Sequence, residues 1–168
     1  IDMTAAYAAR FRAGEHLPQA GGYSDAESVT VALASEPSEE GGRLRNGGDG
    51  VLEASTVDGV ECWETRPNPH GAARYAYFDV DESFLFDEAA ARVSVEVTLR
   101  DAGCDAVELH YDSTDAASSV REGAFATGGR QVLTGSGEWR TVVFDLDGCR
   151  FANRTNGADL RIAALGPD

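Results

Sequence analysis

The decapeptide ARVSVEVTLR, residues 91–100, alternates apolar and polar side chains without a break. Val93, Val95, Val97 and Leu99 fall on one parity, and Arg92, Ser94, Glu96, Thr98 and Arg100 on the other. A helix would scatter both sets around its circumference, whereas a strand sends them to opposite faces. A strand with one dry face needs a second layer to cover it. The same period recurs along the chain. RYAYFDV turns Ala76, Phe78 and Val80 inward and leaves Tyr75, Tyr77 and Asp79 outward, with Asp81 following on the outer parity. AVELHYDST sends Val107, Leu109 and Tyr111 in and Glu108, His110 and Asp112 out. VTVALA alternates Val29, Val31 and Leu33 inward, and GVECWETR sets Val60 and Cys62 against Glu61 and an outward Trp63. RQVLTGSGEWRTVVFDLDG holds two strands joined at Gly135–Gly137, the second with Val142, Phe144 and Leu146 on one face. DLRIAAL turns Leu160, Ile162 and Ala164 in.

About eight short strands separated by turn residues predict an all-β fold, an antiparallel two-sheet β-sandwich of jelly-roll type. Residues 25–168 form the sandwich in this reading. Residues 1–24 form an N-terminal linker or arm: Thr4 caps a short helix over TAAYAARFRAG, Tyr7 and Phe11 share its face, and Gly14 stops it. EPSEEGGRLRNGGDG, residues 36–50, reads as a long acidic, glycine-rich loop. After RIAALGPD the sheet lacks a closing strand, which is missing, supplied earlier in the chain or lost by truncation.

Composition narrows the function. A net charge of −15 lacks the basic footprint that nucleic acid demands and opposes anionic membrane surfaces. No stretch approaches the roughly 18 apolar residues of a membrane helix. All 14 basic residues are arginine, which removes lysine Schiff-base and general-base chemistry and reflects a GC-rich genome. Cys62, Cys104 and Cys149 are too scattered for a metal knuckle or a redox pair. Cys62 reads as a small buried hydrophobe, while Cys104 and Cys149 sit in turns where a bridge is open.

Motifs for catalysis are missing: no nucleophile elbow, phosphate-binding loop or zinc-protease pair occurs, and His16, His70 and His110 lie far apart. Glu96, Glu108 and Asp112 can be paired on paper, but among 29 acidic residues such a pair is expected by chance. Asp79 and Asp81, two apart on one face, are candidate calcium ligands against the alternative of solvated surface acids. Asp145 and Asp147 repeat that spacing. Asp159 is expected to fix the turn before the last strand.

The outward aromatics Trp63, Tyr75 and Tyr77 carry the functional expectation. An aromatic ring stacks on the apolar face of a sugar while nearby polar groups meet its hydroxyls. Arg100, Glu108, His110 and Arg161 share the exposed parity and suit that role. The competing reading covers this face with the N-terminal arm or the 36–50 loop and makes the tyrosines second-layer packing.

ARYAYFDVDESFLFD, VSVEVTLRDAGCDAVELHYDST and VLTGSGEWRTVVFDLDGCRFANRTNGADLRI, in that order and spacing, resemble the jelly-roll carbohydrate-binding modules appended to bacterial secreted glycoside hydrolases and polysaccharide lyases. The resemblance covers residues 29–168. It implies a secreted, non-catalytic, monomeric module that tethers a parent enzyme's catalytic domain to a polysaccharide, often with a structural calcium. The other readings are a structural spacer or protein-docking sandwich without glycan affinity, and a lyase or hydrolase built on the same fold. A neutral glycan suits the acidic chain better than an acidic one unless Arg74, Arg100, Arg154 and Arg161 cluster.

Overall fold

The computed structural model describes the backbone of residues 5–13 and residues 22–46, 48–66, 74–89, 91–118 and 120–166 in full. His16 and His70 lie outside the described residues. Strands follow one another as β1 (Ala5–Ala13), β2 (Val29–Ala32), β3 (Ser38–Glu40), β4 (Gly42–Arg45), β5 (Val51–Val57) and β6 (Val60–Arg66). They continue as β7 (Arg74–Val80), β8 (Ala91–Arg100), β9 (Ala106–Tyr111), β10 (Ala126–Val132), β11 (Trp139–Cys149) and β12 (Leu160–Leu165). Among the described residues only a 3₁₀ turn, Arg121–Gly123, interrupts them.

These strands form the expected antiparallel two-sheet sandwich. One sheet runs β11-β8-β1-β2-β3, with β6 on the same edge of β1 as β2 and β5 outside β6. The other runs β10-β9-β12-β7-β4. The alternation in β8 sets the inner face of the first sheet, where Val97 pairs with Val142, Val95 with Phe144 and Val93 with Leu146. Against them pack Ala76, Phe78 and Val80 of β7, Val107 and Leu109 of β9, and Leu160 and Ile162 of β12. Each such Val, Leu or Phe is almost wholly buried, a gain of about 1.5–3 kcal/mol apiece before the entropy of ordering is counted.

Two expectations change. The helix expected at the N-terminus is instead β1, hydrogen-bonded to β8 from Ala6↔Leu99 to Ala13↔Val93 and to β2 from Ala8↔Ala32 to Phe11↔Val29. Residues 5–13 are therefore a strand of the first sheet and not an appended arm. Tyr7 and Phe11 are four apart, a spacing that fits both periods, and backbone pairing on both edges outweighs alanine's high helix propensity, since propensity yields to tertiary context. The 36–50 segment is not a plain loop either, since it contains β3 and β4. β4 is the outer strand of the second sheet, pairing Gly42↔Val80 through Arg45↔Tyr77. The two strands joined at Gly135–Gly137 are present as β10 and β11 and lie in different sheets, so their link crosses the end of the sandwich. Asp101 holds that crossing: its carboxylate accepts from Thr134 N and Oγ1 (both 2.7 Å), Gly135 N (3.0 Å) and Ser136 Oγ (3.2 Å).

β12 is paired on both edges, with β7 and β9, so the sheet has no gap beside it. The three cysteines are all free and buried. Asp159 does fix its turn, accepting from Asn153 N at 3.1 Å and from Val80 N at 2.9 Å.

Candidate functional site

The outer face of the second sheet is built around β12. Its register sets Arg161 opposite Tyr77 on one side and His110 on the other. One row along, Ala163 stands between Tyr75 and Glu108. Alanine leaves room in that row, and the Arg161 guanidinium leans into it. Its Cζ lies 4.0 Å from the Tyr75 ring centre and 5.9 Å from that of Tyr77. A third ring, Phe125, closes from the β9–β10 connection at 4.5 Å. Arg121 in turn lies 6.0 Å from Phe125. A cation so flanked gains about 0.5–2 kcal/mol per good ring contact, more as water is excluded.

Hydrogen bonds lock this cluster. Arg161 donates through Nε to His110 Nδ1 (3.1 Å) and through Nη1 to the Tyr77 hydroxyl (3.0 Å). Asn156 Nδ2 also donates to that hydroxyl, at 3.0 Å. Because Nδ1 accepts, the proton of neutral His110 sits on Nε2, which donates to Glu108 Oε1 at 2.7 Å. Burial lowers the His110 pKa and the Arg161 charge adds to this, against the raising effect of Glu108. Both ring nitrogens are engaged, so His110 as arranged has none left to take a substrate proton. Glu96, one of the paper partners of Glu108, is on β8 in the other sheet. Asp112, the other, is buried and held by Arg154, whose Nη2 lies 2.6 Å from Oδ1.

Five of the expected binding residues, Tyr75, Tyr77, Glu108, His110 and Arg161, thus meet on one face. Two do not. Trp63 is on the inner side of β6: it packs against the core, its Nε1 donates to Ala34 O at 2.7 Å, and it neighbours Leu52, Phe78, Val97 and Ile162. The outward parity assigned to it is reversed because β6 pairs Leu52 with Thr65, which turns Trp63 and Thr65 inward. Cys62, on the opposite parity, is buried as well. Arg100 closes the end of β8 in the first sheet, bonded to Gly137 O at 3.2 Å and paired with Asp58 at 3.1 Å.

Tyr77 occupies the expected face but is not open. It is 3% exposed. Residues of the β4–β5 connection lie over it so closely that a Cβ on Gly50 would sit 2.6 Å from the ring. Burial raises its hydroxyl pKa, and a hydrogen bond to Asp49 adds to the shift. Tyr77 is therefore second-layer packing, whereas Tyr75 and Phe125 are only partly buried. Beside them Arg45, Asn46, Gly48, Asp49, Tyr77, Asn156 and Gly157 line an open cleft of about 550 Å³, within the range of small-ligand sites.

Asp79 and Asp81 have other partners. Asp79 lies 2.6 Å from Arg45 Nη2 and 3.8 Å from Arg43. Asp81 accepts from the backbone N of Ser83 at 2.9 Å and from its hydroxyl. Among the described residues no three His, Cys, Asp or Glu side chains are grouped to hold a metal ion.

Phe125, Asn156 and Asp49 belong to the site without having been marked by the sequence. All three lie in connections, where no period assigns a face. Comparison of the chain with protein-family models, curated proteins and solved structures finds no match.

Proposed function

We propose that this chain is a non-catalytic carbohydrate-binding module that anchors a secreted bacterial polysaccharide-degrading enzyme to its glycan. The glycan lies across the outer face of the second sheet, on the exposed parts of Tyr75 and Phe125, and extends toward the cleft beside Tyr77. The observation that carries this reading is the convergence of two partly exposed rings, an arginine, a glutamate and an asparagine on one rigid sheet face. Aromatic rings next to fixed polar groups suit a sugar ring that is apolar on one side and hydroxylated around its rim. The locked tautomer of His110 favours binding over proton transfer. Calcium forms no part of this reading, since Asp79 already has arginine counter-ions.

Affinity electrophoresis through gels containing a panel of soluble polysaccharides tests the reading. Retardation by at least one polymer is expected. Silence across the panel would favour the alternative of a protein-docking spacer, to which the covering of Tyr77 lends support.

A further inference from the structure

We infer that the glycan is anionic and that Arg161 is the residue that grips its carboxylate. This rests on the glycan-binding reading above and names the substrate class. The chain as a whole carries −15. The four arginines named from the sequence do not gather, since Arg100 pairs with Asp58, Arg154 with Asp112 and Arg74 bonds Gly103 O. Yet the strand-borne charge on the outer face of the second sheet reverses that sign. Its registers place Arg43, Arg45, Arg130 and Arg161 on the face with only Asp79 and Glu108 as strand-borne acids. Both acids are occupied: Asp79 by Arg45 at 2.6 Å, Glu108 by His110 at 2.7 Å. Asp49 lines the neighbouring cleft with Tyr77 and Asn156.

Arg161 is left without a carboxylate. Guanidinium has five N–H donors. One goes to His110 and one to Tyr77, and the other three have no protein acceptor among the described residues. A partly buried cation with unused donors, fixed between rings at 4.0 and 4.5 Å, is organised for an oxyanion before any ligand arrives. The forked geometry of arginine matches a carboxylate with two parallel bonds. A neutral sugar meets such a fork only with uncharged hydroxyls, whose hydrogen bonds are about half as strong as a carboxylate's, so the ligand class that best completes the site is a uronic-acid glycan.

The test uses the intact chain with polygalacturonate, alginate and hyaluronate, each beside its carboxyl-reduced form. Reduction removes the charge and keeps the sugar backbone. The expected result is that at least one uronate polymer binds roughly tenfold or more tightly than its reduced form. Arg161→Gln should erase that margin, while Arg92→Gln, on the exposed surface of the other sheet, keeps it. Should Arg161→Gln not fold, Arg161→Lys, which keeps the charge and loses the fork, should still lower the margin. Equal binding of charged and reduced polymers overturns the inference and leaves the glycan-binding reading standing. Dextran sulfate competing as well as the uronate polymer overturns it too, by showing bare charge attraction. Failure of every polymer, charged or neutral, overturns the reading and the inference together.

Discussion

The guanidinium carbon of Arg161 lies 4.0 Å from the centre of the Tyr75 ring. That contact joins β12 to β7 across the outer face of the second sheet. It ties an arginine without an acid partner among the described residues to a ring that solvent still reaches.

The two tyrosines of β7 should therefore separate by mutation. Tyr75→Ala and Phe125→Ala remove partly exposed rings and should weaken glycan binding while shifting the melting temperature by only a few degrees. Tyr77→Ala empties a buried site under the β4–β5 connection and should cost about 3 kcal/mol or more. Chemical denaturation of the three variants checks this. A Tyr77→Ala protein as stable as wild type would show that the connection does not rest on the ring.

Gly50→Ala probes the same contact from the other side. The added methyl would meet the Tyr77 ring at 2.6 Å and the Tyr75 carbonyl at 3.0 Å, so the connection must lift. A loss of about 1–3 kcal/mol is expected, with Tyr77 becoming accessible to nitration. Unchanged stability and an unreactive tyrosine would contradict the close approach.

Stability should fall on mild acidification through His110. In the unfolded chain its pKa is near the ordinary value of about 6.5, and in the folded chain it is lower, by burial first and by Arg161 second. Between those values the unfolded state binds more protons, so stability rises with pH. The contribution is whole above about pH 6.5 and is lost as pH falls to the folded value. Protonation also puts a hydrogen on Nδ1, facing the Nε–H of Arg161. Glu108 is the nearby acid that resists, with Arg130 opposite it in the β10 register. Asp159, raised by burial to about 7, acts with the opposite sign between its ordinary value and 7, so the informative quantity is a difference. The advantage of wild type over His110→Asn in melting temperature should shrink as pH falls from 7.5 to 5. Parallel curves would remove His110 from the network.

Asp101→Ala should be among the more damaging single changes outside the apolar core. Burial works to raise this carboxyl, but the hydrogen bonds from Thr134, Gly135 and Ser136 overcome it and hold the pKa at about 2. The substitution leaves those donors without their acceptor, at a cost of about 2–4 kcal/mol. In wild type the contribution is present above the ordinary value of 3.8 and is lost as pH falls toward 2. Acid titration of the variant should lack that component.

The sequence made much of this architecture legible because strand alternation is a direct image of burial. β7, β8, β9 and β12 have the inner residues their parity assigned, and the cluster around Arg161 follows from the opposite parity of three of those strands. What parity lacks is pairing: nothing in the chain places His110 and Arg161 side by side, since only the β9–β12 register does so. It also fails where both parities carry polar residues. In GVECWETR, Glu61 and Thr65 share the parity of Trp63 and Glu64 that of Cys62, while Cys62 is buried and Trp63 packs against the core, so alternation does not fix the face. β4 escaped notice because its two arginines and one leucine look like loop, whereas backbone bonds to β7 hold it. Phe125 sits in a connection, where aromatic residues leave no periodic trace.

The most direct measurement compares wild type, Tyr75→Ala and Arg161→Gln by affinity electrophoresis in the polysaccharide that retards wild type most. The expected result is strong retardation of wild type and little or none of either variant, all three melting within a few degrees of one another. Undiminished retardation of both folded variants, or no retardation of wild type by any polysaccharide, would contradict a glycan site on the outer face of the second sheet.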